Sequence, residues 1–134
     1  MTARVMIVED EFLIALDLEN MVERFGMEVA GLASTTRNAR LLAPYADIAL
    51  VDVNLADGPT GPEIGEMLAR DYGISVIFMT GNPEMVGEGV PGALGVVAKP
   101  VMPDIVEGTL KYAQSRRQGG ITAVPRDMTV FKAA

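Results

Sequence analysis

The chain contains no cysteine, no histidine and no tryptophan. Without cysteine there is no disulfide, no thiolate nucleophile and no thiolate metal site. Without histidine, a Ser-His-Asp triad and an ordinary zinc site are both excluded. Basic residues are also scarce: 11 lysines and arginines face 18 aspartates and glutamates, a formal net charge of −7. A surface of that sign repels phosphate backbones and argues against general nucleic-acid binding. Long apolar runs are missing too. None approaches the ~20 residues that span a bilayer. Glu9, Asp10 and Glu11 break the first run before it reads as a secretory leader. The expectation is a cytoplasmic protein with neither a membrane nor a nucleic acid as partner.

What is present is a chain of 134 residues, 49% of them hydrophobic, enough for one domain with a buried core. Four short apolar runs each stop at a polar residue of a different kind. Val5-Met6-Ile7-Val8 ends at Glu9-Asp10. Ile48-Ala49-Leu50-Val51 ends at Asp52. Val76-Ile77-Phe78-Met79 ends at Thr80, and Val96-Val97-Ala98 ends at Lys99-Pro100. Runs of this length and composition read as strands of a parallel sheet covered on both faces. In such a sheet the C-terminal strand ends share one edge, where ligands bind.

Helical patterns separate the strands. Ile14, Leu18, Met21, Val22 and Phe25 form one apolar stripe, so a helix is expected near 11–25, with Asp10 as N-cap and Gly26 just past its end. Residues 28–33 read as a weaker second strand. Ser34, Thr35 or Thr36 then caps a short helix that stops before Pro44. After the third strand (48–52) comes the turn Asp57-Gly58-Pro59-Thr60-Gly61-Pro62. A helix over about 62–72 follows, with Ile64, Met67 and Leu68 inward and Gly73 as its stop. The last two strands fall near 75–79 and 94–98, and the last helix near 103–117, with Pro103 at its start and Arg116 and Arg117 at its negative end. The pattern implies a flavodoxin-like, doubly wound α/β domain with a five-stranded parallel sheet in the order 2-1-3-4-5. Between strands four and five, Gly87, Gly89, Gly92, Gly95, Pro83 and Pro91 oppose helix formation, at ~1 kcal/mol per interior glycine. The fourth helix, in that interval, is therefore expected to be short, irregular or missing.

This order places the ends of strands one and three side by side, bringing Glu9, Asp10 and Asp52 together. Three adjacent carboxylates repel one another, and a hard divalent cation such as Mg2+ relieves the repulsion. Lys99 adds a second positive charge and Thr80 a hydroxyl donor. A dianionic phosphoryl group is then tolerated, and Asp52 is the candidate nucleophile.

The residues that carry this chemistry resemble the CheY-like receiver domains of bacterial response regulators. The matching elements are Val-Glu-Asp-Glu (8–11), Val-Asp-Val-Asn-Leu (51–55), Met-Thr-Gly (79–81) and Ala-Lys-Pro (98–100), in the family's order, across about residues 3–118. The resemblance implies that Asp52 is the phosphoacceptor, phosphorylated by a histidine kinase in a Mg2+-dependent reaction. It implies Asp10 as a direct metal ligand, Glu9 acting through water, and Asn54 as a ligand through its backbone carbonyl. Thr80 and Lys99 become the pair that senses the phosphoryl group, and the Lys99–Pro100 bond is expected to be cis. The output would be binding of a downstream protein, as a switch or phosphate shuttle, with no turnover of an external substrate. Thr80-Gly81-Asn82-Pro83 further resembles a subgroup of stand-alone receivers, sometimes phosphate sinks.

Each motif alone has an ordinary explanation: Glu9-Asp10 as a helix cap, Asp52 and Thr80-Gly81-Asn82-Pro83 as turns, Lys99-Pro100 as a loop entry. Two other readings compete for the set. A Mg2+-dependent phosphohydrolase with an aspartate nucleophile would want an acid two residues after Asp52, where this chain has Asn54. A degenerate receiver would bind partners without phosphorylation. The chain also departs from the family: Val96 stands where many receivers carry a mobile aromatic residue, and Val101 where Phe is frequent. The division expected is a receiver over 1–118 and a tail over 119–134, too short for a DNA-binding output domain. Disorder is the first expectation for the tail, and a short strand packed on the domain the second.

Overall fold

Hydrophobic strands alternating with amphipathic helices bury both faces of a sheet, and the computed structural model has that arrangement across residues 2–132, the residues it describes. The elements are β1 (Arg4–Val8), α1 (Phe12–Arg24), β2 (Glu28–Ala33), α2 (Thr36–Leu42), β3 (Ile48–Val51), α3 (Gly61–Tyr72), β4 (Ser75–Thr80), β5 (Gly95–Ala98), α4 (Pro103–Arg117) and β6 (Met128–Val130). The sheet order is β2-β1-β3-β4-β5-β6. The first five strands pair in parallel, in the expected 2-1-3-4-5 order, and β6 adds antiparallel to β5.

Strand alternation divides the core in two. Val5, Ile7, Ile48, Leu50, Ile77, Met79 and Val97 face α1 and α4. Met6, Val8, Ala49, Val51, Val76, Phe78 and Val96 face α2 and α3. The stripe on α1 packs as its spacing predicts: Leu18 and Val22 are buried, and Ile14, Met21 and Phe25 are partly so. Ile64 and Leu68 bury the inner face of α3, which Gly73 ends in the left-handed conformation.

Local details depart from the sequence reading. Asp10 does not cap α1. The helix starts at Phe12 with Glu11 in the cap position and no side-chain cap bond, and Asp10 lies instead beside Glu9 and Asp52. Thr35 is the cap of α2, accepting from the Asn38 N–H at 3.2 Å. Between β4 and β5 the only regular structure is one short 3-10 turn, Pro83–Val86, in keeping with the glycines and prolines there. The tail is not disordered over 128–130. It forms β6, so the sheet has six strands where five were expected.

The β3–α3 loop returns so close to β3 that Gly61 has no room for a side chain. A Cβ there would collide with the Asp52 carbonyl oxygen and the Val53 Cα, and the Gly61 N–H donates to the Val53 carbonyl at 2.9 Å. Gly61→Ala is expected to destabilise the fold by about 1–3 kcal/mol through overpacking, read as a lower urea midpoint at unchanged slope. A midpoint equal to that of the parent would contradict the close approach.

Candidate functional site

Backbone bonds continue the sheet past the strand ends and fix where the polar residues stand. The Glu9 N–H donates to Ala33 O at 2.8 Å, the Asp52 N–H to Val8 O at 2.9 Å, and the Lys99 N–H to Thr80 O at 2.9 Å. Since Val51 pairs with Phe78 and Thr80 with Ala98, all these residues leave the sheet at the same edge. One carboxylate oxygen from each of Glu9, Asp10 and Asp52 lies within 4.8 Å of the others.

Lys99 closes the cluster. Its ammonium donates to Glu9 Oε1 at 2.5 Å and to Asp52 Oδ2 at 2.9 Å. The other Glu9 oxygen accepts the Glu11 N–H at 3.2 Å, and the other Asp52 oxygen accepts the Val53 N–H at 2.7 Å. Both carboxylates are thus oriented at each end. Glu9 is only 5% exposed, and Asp10 stands open at the mouth. Burial pushes the Glu9 carboxyl above its ordinary range, against the hydrogen bonds from Lys99 and the Glu11 N–H. Burial alone would lower Lys99, but the hydrogen bonds and charges of Glu9 and Asp52 outweigh it and hold the ammonium above its ordinary value. The cation is therefore firmly protonated.

The residues present fit a hard divalent cation. The donor atoms are all oxygens, they converge on one point, and a single ammonium leaves three carboxylates under-neutralised. Thr80 is fully buried, and its hydroxyl accepts the Asn82 N–H at 3.0 Å. Asn54 lies exposed in the β3–α3 loop. The Lys99–Pro100 bond is cis.

Two features of the site were not foreseen from sequence. Glu9 is the buried counterion of Lys99, a pairing across ninety residues that no local pattern carries. Asp57 braces the β3–α3 loop that follows Asp52. Its Oδ2 accepts the Thr36 N–H and the Thr36 hydroxyl, each at 3.0 Å, and its Oδ1 accepts the Thr60 hydroxyl at 2.5 Å. These bonds, led by that from the Thr36 backbone, hold its carboxyl below the usual range. The Asp-Gly-Pro turn was the available signal, because aspartate often accepts such bonds beside turns.

The response regulator receiver domain model matches residues 5–111. The phyllosphere-induced regulator PhyR of Methylorubrum extorquens is 36% identical over 118 residues, which is 84% of this chain but 44% of that protein. The chain thus spans less than half the length of that relative. The receiver domain of Erythrobacter litoralis PhyR superposes with a TM-score of 0.79 at 33% identity, covering 92% of this chain and 97% of that one. The anti-anti-sigma factor PhyR of Bartonella quintana gives 0.77 at 35% identity, over 89% of this chain and 50% of the other.

Lys99→Met is expected to cost about 1–3 kcal/mol by leaving the buried Glu9 carboxylate unpaired. Adding Glu9→Gln should recover much of that loss, because a neutral amide tolerates burial without a cation. Urea unfolding of both variants checks this. A double variant no more stable than the single would mean that the Lys99–Glu9 pairing does not carry the loss. Mg2+ at one hundred times its Kd is expected to stabilise the parent by about 2.7 kcal/mol. The gain should vanish in Asp10→Asn, and an equal gain in that variant would remove Asp10 from the metal site.

Proposed function

The chain is a member of the response regulator receiver family, and from that membership we propose that it is a phosphorylation switch or phosphate shuttle that accepts a phosphoryl group on Asp52 from a histidine kinase. The observation that supports this most directly is the fixed pairing of Lys99 with both Asp52 and the buried Glu9, beside the open Asp10. Glu9, Asp10 and Asp52, with the Asn54 carbonyl, are the residues that would hold Mg2+. When bound, the cation supplies positive charge against the transferring oxygens.

The chain's own residues do the rest. Asp52 is held at both oxygens, by Val53 N–H and by Lys99, so its attack geometry is set before a donor arrives. An Asp52 oxygen forms the new P–O bond as the P–N bond of the donor's phosphohistidine breaks, and the ring nitrogen keeps the electron pair. Lys99 stays protonated and follows the charge onto the phosphoryl oxygens. The Thr80 hydroxyl donates to one of those oxygens. Loss of the group is hydrolysis: water forms a P–O bond, the bond to Asp52 breaks, and free phosphate and the carboxylate result. Asn54 offers no acid for a leaving group, so turnover of external phosphate esters does not belong to this reading. The output is protein binding in the cytoplasm. Anti-anti-sigma action is what the name of the Bartonella protein says of that protein, and a protein target is proposed here.

Incubation with acetyl phosphate and Mg2+, followed by intact mass measurement, is expected to show one phosphoryl adduct per chain, absent in Asp52→Asn. No adduct, together with turnover of an added phosphomonoester, would replace this reading with an aspartate-nucleophile hydrolase.

A further inference from the structure

The C-terminal segment is seated on the sheet where regular cover is missing. Between β4 and β5 the chain makes a single short turn, and β5 ends the parallel set with its outer edge open to another element. Residues 125–131 supply it. Met128–Val130 pair with Gly95–Val97, and the Phe131 N–H donates to Leu94 O at 2.9 Å. Met128 enters the core on the α4 face. Phe131 is buried on the opposite face, its ring 6.4 Å from that of Phe78 and among Val86, Val90, Ala93 and Val96.

The seat is shaped for this segment. A Cβ at Gly95 would collide with the Thr129 carbonyl oxygen, and one at Gly108 would stand 3.2 Å from the Pro125 ring. Arg126 reaches Asp104, in the first turn of α4, at 2.7 Å. By contrast, residues 118–124, which connect the segment to α4, are exposed, with Ile121 entirely so. A strand on an exposed tether can detach as a unit, at the cost of uncovering what Met128 and Phe131 bury.

A physical route joins this strand to the site. The backbone hydrogen bonds described for residues 83–93 are turn bonds within the loop and its Asn82 start. The loop's hold on the body is apolar: Val86, Val90 and Ala93 share one cluster with Phe131. At its start, the Asn82 N–H is held by the Thr80 hydroxyl. Donating to a phosphoryl group does not by itself break that bond. A Thr80 side chain rotated toward Asp52, however, would carry its oxygen away from the Asn82 N–H, and the start of the loop under Phe131 would have to follow or lose its anchor.

We propose that residues 125–131 are a latch on the edge of β5, closed in the resting domain and loosened by phosphorylation of Asp52. The coupling rests on the function proposed above. Loosening bares the N–H and C=O groups of β5 that face away from β4, an edge able to accept another strand. Linkage is reciprocal: if phosphorylation favours the open latch, an opened latch must favour phosphorylation by the same factor.

The test is hydrogen exchange of the Phe131 amide with and without beryllium fluoride and Mg2+, with uptake followed by the fluorine resonance of bound fluoride and by its loss in Asp52→Asn. Exchange faster by about tenfold or more on uptake supports the latch. Uptake with unchanged exchange overturns it and leaves the phosphoacceptor reading intact. No uptake overturns both. Arg126→Glu, a substitution at an exposed position, and Phe131→Ala are each expected to speed exchange at rest and to tighten beryllium fluoride binding by about fivefold or more. Binding unchanged in both, with the amide deprotected, also overturns the coupling.

Discussion

One ammonium between two carboxylates organises this molecule's functional edge. Lys99 meets Glu9 and Asp52 at once, so the ends of β1, β3 and β5 are drawn to a common point. Two buried or half-buried acids this close would repel each other without it. With it, Asp52 is pinned in one orientation. Glu9, the more buried partner, serves the cation more than the solvent, and Asp10 is left as the open carboxylate. The electrostatics stay unbalanced toward negative charge, which suits a divalent cation, and the phosphoryl chemistry proposed here follows from that balance.

The surroundings keep this point from drifting. Gly61 lets the β3–α3 loop fold back against the Asp52 backbone. Asp57 ties the same loop to the start of α2 through Thr36 and to its own end through Thr60. Asp52 therefore hangs from a braced loop. The β4–β5 segment is the opposite case. Glycine and proline deny it a helix, and its hydrogen bonds are local, so it rests on apolar packing that Phe131 shares. A braced carboxylate and a neighbour held by apolar packing on one sheet edge are the physical basis on which the proposed switch rests.

Local patterns in the sequence were enough for much of this. The apolar runs at 5–8, 48–51, 76–79 and 96–98 could only be buried strands, since each is too short and too β-branched for a buried helix. The glycines at 87, 89 and 92 foretold the missing helix, because backbone entropy and absent side chains act within the segment itself. The Asp10 cap failed for a matching reason. Capping preference is a local tendency, and α1 starts at Phe12, which puts Glu11 in the cap position and Asp10 one residue too early.

The positions and order of the five parallel strands and the identity of the residues at their C-terminal edge were thus determined by the sequence alone, because hydrophobic periodicity and parallel topology are enough to place strand ends. Only the tertiary structure decided that Glu9 is the counterion of Lys99, that Asp57 reaches Thr36, and that the last residues close the sheet as β6. Each of these is a contact between segments far apart in the chain. A three-residue strand such as Met128–Val130 has too little pattern of its own, and becomes a strand only because β5 offers an open edge with a glycine where the partner's carbonyl must pass.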